Sequence, residues 1–384
     1  MNLDFTEEQQ MLRASARSFL ATECPKKKIR ELEESNDGFD RPLWKKIADL
    51  GWLGLIIPEE YGGSGADFTS LLVLFEEIGR NILPSPLFST EVLGALPVVQ
   101  HGSAAMKQRL LPSIARGEAI VALAVLESSV SYEPVAITVK AQRSSSGYSV
   151  NGTKLFVNDA LVADYFLVAA RTAHRADPKQ GITLFLVDAK NPGIKVEMMP
   201  TIGLDKQCEV EFSNVAVSRD DVLGKVEQGW TVLERTLDQA GVLKCAESVG
   251  AMEAVLDMTS SFAKERVQYG KTISSFQVIQ HYLANMSART LTAKGMTHRA
   301  AWMVQEGLPC TSQVSAAKAW VNEAYKFVTE RAVQIHGAIG LTRDHDMGLY
   351  YRRAKAADVI FGDSDYHYER IARQLWPKAQ APAS

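Results

Sequence analysis

Apolar residues recur along this chain with two different periods, and the places where the period changes divide it into three blocks. Up to about Gly117 the spacing is helical. Thr6 ahead of Glu7 and Glu8 reads as an N-cap with acids in the first turn, and Leu12, Ala16 and Phe19 follow three or four residues apart. A second helix is predicted from about Pro42 through Ile47 and Leu50, stopped by Gly51. The stretch Gly54 to Gly63 is turn-rich and ends in paired glycines. Helical spacing resumes with Leu71, Leu74, Phe75 and Ile78, breaks at Pro84 and Pro86, and returns near Met106 to Ile114.

From about 119 to 225 the period changes to that of strands. Ile120–Val125, Tyr148–Val150, Lys154–Val157, Tyr165–Ala170, Thr183–Val187 and Val210–Phe212 are short β-branched or aromatic runs, parted by turns at Ser146-Gly147, Asn151-Gly152 and Asn191-Pro192-Gly193. Strands at this spacing predict a small barrel or sandwich. After about 226 long helical stretches return, broken at Tyr269-Gly270, Gly307-Leu308-Pro309 and Gly337 to Gly340, which predicts an antiparallel bundle. The fold class is therefore α+β and multidomain: an N-terminal helical domain (1–118), a middle β domain (119–225), a C-terminal four-helix bundle (226–376) and a disordered tail (377–384).

Composition narrows the partners. The 384 residues carry 42 Lys plus Arg against 45 Asp plus Glu, a net charge of −3, which argues against nucleic acid or an anionic membrane surface as the main partner. No run approaches 18 apolar residues, so no membrane span is expected. The N-terminus carries acids where a signal peptide carries bases. Cys24, Cys208, Cys245 and Cys310 lie far apart, with no zinc spacing and no HExxH, so no metal site is expected and the thiols suit a reducing, cytoplasmic setting.

The order of motifs resembles the acyl-CoA dehydrogenase family over nearly the whole chain. Glu59-Glu60-Tyr61-Gly62-Gly63 is similar to its first signature, and Asn151-Gly152-Thr153-Lys154 with Phe156-Val157-Asn158 to its middle-domain strand. Val215-Ala216-Val217, Leu223-Gly224 and Gly229-Trp230 match the exit into the bundle. Lys264 to Lys271 with Phe276-Gln277, and Ala332 to Gly340, resemble its flavin-binding stretches. The resemblance implies FAD as cofactor, held by Val125, Leu126, Phe156, Asn158, Arg266, Gln268, Phe276, Gln277, Gln334 and Gly337, with Asp363 and Asp365 at positions that contact its ribose or adenine. It implies that Phe276, Gln277 and the Gln334 segment serve the flavin of a neighbouring subunit. Asp238, Leu243, Phe361 and Gly362 fall at substrate positions. The implied reaction is α,β-dehydrogenation of an acyl-CoA to the 2-enoyl-CoA, with electrons passing to an electron-transfer flavoprotein. The implied assembly is a homotetramer, or a heterotetramer with a homologous chain.

The chemistry these residues offer agrees with that implication without requiring it. Arg266 and Gln268 can donate to phosphate and ribose oxygens, and equally can be a solvated helix end. Gly337 and Gly340 allow a close backbone approach, or simply end a helix. Phe156 can face a flavin ring, or pack in a core as most strand aromatics do.

Dehydrogenation needs a base at the substrate α-carbon. The family's usual Glu, in the loop after Arg352-Arg353-Ala354-Lys355, is replaced by Phe361 before Gly362. A second family position falls on Ala240, and the Arg that follows it there is Gly241. On a helical wheel of the segment from Gly229 to Gln268, the polar stripe runs through Arg235, Gln239, Glu253, Asp257 and Lys264. Glu247 lies off that stripe, beside Ala240, Leu243, Ala251 and Met258. It is the candidate base, with a Lys244–Glu247 ion pair as the bland alternative and Asp363 and Asp365 as rival carboxylates. Some relatives in the branch handling bulky acyl groups carry a Glu on this helix. Two other readings stand beside dehydrogenation: a half-site or non-catalytic chain of a heteromer, and a flavoprotein oxidase or monooxygenase.

Overall fold

The computed structural model describes residues 4–203 and 205–376; the predicted tail 377–384 lies outside the described residues. Helices α1 (Glu7–Glu23), α2 (Lys26–Glu34), α3 (Arg41–Asp49) and α4 (Phe68–Asn81) precede a π-helix at Phe88–Ala95, then α5 (Leu96–His101) and α6 (Ala104–Ala115). Strands follow: β1 (Val121–Ala124), β2 (Lys140–Arg143), β3 (Gly147–Asn158), β4 (Tyr165–Arg171), β5 (Ile182–Asp188), β6 (Ile194–Met199), β7 (Gln207–Ser218) and β8 (Val222–Leu223). Long helix α7 (Gly229–Glu265) leads into a hairpin of β9 (Val267–Gln268) and β10 (Lys271–Thr272), then α8 (Gln277–Gln305), α9 (Thr311–His336), α10 (Met347–Val359) and α11 (Ser364–Leu375). By contact the chain forms two compact units, Met1–Lys26 with Phe68–Leu83 and Gly241–Ser384, and Lys27–Asp67 with Pro84–Ala240. Residues of the first sequence block occur in both.

In the bundle unit, α1 opens with the predicted cap: Thr6 Oγ1 accepts from Gln9 N at 3.2 Å while Gln9 Oε1 accepts from Thr6 N at 3.1 Å. Along α7 the wheel fails at Gln239, which is only 3% exposed. Arg235, Asp257 and Lys264 are exposed as expected, but Thr236, Asp238, Gln239 and Ala240 are all buried. Over its middle turns the helix is enclosed on every side, so no continuous polar stripe survives.

Two glycines set how α4 meets α7. A Cβ on Gly250 would lie 1.8 Å from Glu76 O, and one on Gly79 would lie 1.8 Å from Glu247 O. The two helices therefore touch backbone to backbone, an approach open only to residues without a side chain.

In the other unit, Asp40 caps α3 by accepting from Leu43 N at 2.8 Å, and Gly51 stops the helix in the left-handed region at φ 78°. The strands form one sheet in the order β6-β7-β3-β2-β4-β5-β8, with β1 also pairing to β4. β4 and β5 are covered on both faces. Phe166, Val168 and Phe185 pack with Val150, Val210 and Phe212 on one side, while Leu167, Leu184 and Leu186 pack with Leu110, Leu111 and Leu233 on the other.

The predicted turn at Asn151-Gly152 is not a turn. β3 continues through it with a bulge opposite β7, taken up by Gly152 at φ 135°, and Asn151 Oδ1 accepts from Asn214 N at 2.8 Å. An Asn-Gly pair supplies the backbone freedom of a hairpin or of a bulge, and here the ladder on either side claims it. The break read at Pro84 and Pro86 is shorter than expected, because the π-helix begins at Phe88 and Pro97 sits in the first turn of α5, where a proline costs no hydrogen bond.

Candidate functional site

Glu247, the candidate base, stands on α7 with its side chain 18% exposed, and Lys244 Nζ lies 2.5 Å from its Oε2. The ion pair considered from sequence is thus present. Below Glu247 the crossing with Gly79 fixes its backbone. Ala240 and Gly241, at the alternative base position, are buried, and a Cβ on Gly241 would meet only Val314 Cγ1 at 3.5 Å. Leu243 is fully buried and Asp238 is 5% exposed.

The turn carrying Phe361 and Gly362 is held from behind. Phe361 sits at φ 61°, an unusual region for a bulky side chain, and Gly362 follows at φ 102°. Lys318, buried on α9, donates from Nζ to Asn322 Oδ1 (2.6 Å), Ala357 O (3.0 Å) and Gly362 O (3.3 Å). Asn322 Nδ2 donates to Asp358 O at 2.9 Å, and His367 Nε2 lies 3.1 Å from Phe361 O. Burial pulls the Lys318 ammonium down to about 8 and the His367 imidazole to about 3, the latter helped by Lys318 and Arg370. Neutral His367 is then the form that donates to Phe361 O. These anchors were not read from sequence, although Lys318 and Asn322 fall four residues apart on the apolar stripe of Val314, Val321 and Tyr325. Asp363 caps α11 by accepting from Tyr366 N at 2.8 Å, which gives this rival carboxylate a structural task, and Asp365 is exposed in the first turn.

A second carboxylate lies deeper. Glu76 on α4 is 3% exposed and accepts from Arg13 Nη2 and His298 Nε2, each at 2.5 Å. Burial alone would raise its pKa; His298, Lys294 and Arg13 outweigh it and hold the carboxyl below its usual range.

The residues assigned to FAD fall, besides Asp363 and Asp365, into three segments of the bundle unit and two of the sheet unit. Arg266 and Gln268 flank the β9–β10 hairpin, whose tip holds Tyr269 and Gly270 at φ 52° and 76°. Phe276 and Gln277 open α8, with Lys271 Nζ 4.5 Å from the Phe276 ring centroid. Gln334 is exposed, so it needs no internal partner, and Gly337 ends α9 at φ 66° with open space where a Cβ would stand. In the sheet unit the Val125 and Leu126 carbonyls are pinned: Lys154 Nζ donates to Val125 O at 2.9 Å and Leu155 N to Leu126 O at 2.8 Å. Lys154 is fully buried beside Glu127 at 2.7 Å; burial lowers its pKa to about 8, with Glu127 pulling the other way. Phe156 takes φ 54°, and Asn158 ends β3.

Comparison with known proteins gives one consistent match. Family models described as the N-terminal, middle and C-terminal domains of acyl-CoA dehydrogenase match residues 6–118, 122–215 and 227–376. The chain is 32% identical to a probable acyl-CoA dehydrogenase, YngJ, of Bacillus subtilis (strain 168), over 98% of this chain and 100% of that protein. It is 29% identical to an acryloyl-CoA reductase (NADH) of Anaerotignum propionicum, over 98% of this chain and 96% of that one. The ChsE4-ChsE5 complex of Mycobacterium tuberculosis includes a chain that superposes with a TM-score of 0.89 at 29% identity, each chain covered fully.

Proposed function

The chain belongs to the acyl-CoA dehydrogenase family, and on that footing we propose that it is an FAD-dependent enzyme removing hydrogen from Cα and Cβ of an acyl-CoA thioester. The observation that carries the assignment of the base is the placing of Glu247. Phe361 and Ala240 leave the two usual positions without a carboxylate, and Glu247 is a partly buried acid on α7. Its carboxylate takes the α-proton. The Phe361–Gly362 turn, anchored by Lys318, Asn322 and His367, orients the thioester through its backbone.

The donor set fits FAD. Arg266 offers a guanidinium to the pyrophosphate and Gln268 an amide to the ribose, while Phe276, Gln277 and the Gln334 segment offer a ring and amides to the flavin of a neighbouring subunit. Gly337 leaves open space where any side chain would intrude. Bound there, FAD supplies the acceptor for the hydride leaving Cβ. Val125, Leu126, Phe156 and Asn158 add backbone and aromatic contacts, and Asp363 and Asp365 contribute through ribose or adenine. Asp238, Leu243, Phe361 and Gly362 contact the acyl-CoA.

Electrons pass onward to an electron-transfer flavoprotein, and the protein works in the cytoplasm as a homotetramer or as a heterotetramer with a homologous chain. Exposed apolar side chains on the bundle, Val278 (53%), Leu291 (71%) and Leu341 (68%), support an assembly that covers them. A panel of CoA thioesters, from short straight chains to steroid acids, assayed with an artificial acceptor tests the activity. Turnover of one or more supports it, and no turnover by flavin-loaded protein, alone or with a homologous partner chain, overturns it.

A further inference from the structure

A buried ammonium stands behind the Phe361–Gly362 turn with no carboxylate against it. Lys318 on α9 is 1% exposed, and its Nζ donates to Asn322 Oδ1 at 2.6 Å, Ala357 O at 3.0 Å and Gly362 O at 3.3 Å. All three acceptors are neutral, and among the described residues no acid forms an ion pair with it. Lys154, also buried, shows the contrast, because it meets the Glu127 carboxylate at 2.7 Å. A buried charge without a counter-ion is costly to keep and asks for a reason. Holding the turn does not supply one, since neutral donors already do so. Asn322 Nδ2 donates to the same Gly362 O at 3.3 Å and to Asp358 O at 2.9 Å, and His367 Nε2 donates to Phe361 O at 3.1 Å.

The groups that face Lys318 leave its charge standing. From α7 come the Cys245 thiol, which burial pushes up to about 12 and so keeps neutral, and Lys244, held by Glu247 at 2.5 Å. From α10 comes Asp358, committed to Lys326 at 3.0 Å. Past the turn comes Asp363, which accepts from Tyr366 N at 2.8 Å as the cap of α11. From α11 comes His367, whose imidazole burial and Lys318 keep neutral. Burial lowers Lys318 only to about 8, so the ammonium is its main form at neutral pH.

We propose that the charge of Lys318 supports the reaction: acting through the Phe361–Gly362 turn, the ammonium stabilises the negative charge that gathers on the thioester oxygen as the α-proton leaves. Lys318 is then a positioning residue whose charge, beyond its hydrogen bonds, is what the site uses. This rests on the reading that the turn carries the thioester carbonyl. In the step the Cα–H bond breaks, the proton goes to the base, and the electron pair spreads from Cα to the thioester oxygen as the enolate. A fixed positive charge in a desolvated setting favours the enolate over the neutral thioester, and that difference lowers the barrier.

The test is the ionisation of acetoacetyl-CoA bound to flavin-loaded protein, read from the ultraviolet band of its enolate as pH is varied. This thioester carries a carbonyl at Cβ, so it loses an α-proton with no hydride to follow and no oxidant is involved. Wild-type protein should hold it ionised about one pH unit or more below the free compound. Lys318→Met removes the charge, and Lys318→Gln replaces it with a neutral amide donor. Both should raise the ionisation of the bound ligand by about one pH unit, a tenfold loss of enolate below it. Affinity for the un-ionised ligand, measured in acid, should stay unchanged. Should Lys318→Met fail to fold, Lys318→Gln carries the comparison alone. Lys318→Gln that ionises the ligand as wild type does, or that loses the un-ionised form as strongly as the enolate, makes the lysine merely structural and overturns the proposal. So does wild-type protein that binds the ligand without lowering its ionisation. Flavin-loaded wild type that binds no acetoacetyl-CoA overturns instead the underlying reading of the turn.

Discussion

The backbone contact between α4 and α7 makes a quantitative stability prediction. In Gly250→Ala the new Cβ would stand 1.8 Å from Glu76 O, 2.7 Å from Glu76 C and 3.0 Å from Arg80 N, where ordinary contact begins near 3.4 Å. The helices must part by about 1.5 Å, and overpacking of this kind costs about 1–3 kcal/mol, occasionally more. Alanine in a helix interior returns about 1 kcal/mol. The separation also pulls on the 2.6 Å bond from Tyr350 OH to Arg80 O and on the Arg80–Asp257 pair, so a net loss of about 2 kcal/mol follows. Gly79→Ala, whose Cβ meets Glu247 O at 1.8 Å, should cost about the same. One parting of the helices relieves both clashes, so the double variant should lose clearly less than the sum. Gly241→Ala on the same helix is the control: its Cβ meets Val314 Cγ1 at 3.5 Å, and it should gain about 0.5–1 kcal/mol. Urea unfolding midpoints at constant slope measure all four. A Gly250→Ala midpoint at or above wild type, or strict additivity of the pair, refutes the crossing as described.

Further outcomes follow from buried charged groups and from the cofactor. Glu91, on the π-helix, is fully buried, accepts from Ile56 N at 3.0 Å, and is pushed by burial from 4.5 to about 8. Its folded pKa lies above the unfolded one, so the stability it lends is full below pH 4.5 and is lost as pH rises toward 8, by about 3 kcal/mol at pH 7. Glu91→Gln should match wild type in thermal melting near pH 4.5 and melt higher at pH 7; equal melting at both would show that Glu91 is not so buried. Glu127→Gln strands the buried Lys154 ammonium and should cost about 3–5 kcal/mol in urea unfolding. Purified protein should take up about one FAD per site and sediment above monomer mass; a colourless monomer that binds no FAD, with or without a partner chain, contradicts both.

The three-part architecture was legible because each part announces itself locally. The Thr6 cap, the spacing of Leu71 to Ile78, and the continuous apolar run from Tyr165 to Ala170 each fix an element without help from distant residues. Where tertiary context decides, the sequence misled or was silent. Asn151-Gly152 signals a hairpin, yet the ladder to β7 makes it a bulge. Gln239 falls on a polar stripe by wheel geometry, yet the fold buries it. At the site, the order of motifs proposes positions for a flavin, and the absence of a carboxylate at Phe361 and Ala240 leaves Glu247 as the proposed base. Lys318 and His367 went unread, because a Lys among alanines has no meaning until a turn is brought against it.

The most direct measurement is an anaerobic titration of flavin-loaded protein with a CoA thioester that the wild type turns over, following flavin absorbance by stopped flow. Wild-type protein should bleach, and Glu247→Gln, equal in shape but without basicity, should bind the same thioester and bleach slower by orders of magnitude. Bleaching of Glu247→Gln at near the wild-type rate would contradict the account and place the base elsewhere: on Asp363 if Asp363→Asn then fails to bleach, and on a partner chain if it does not.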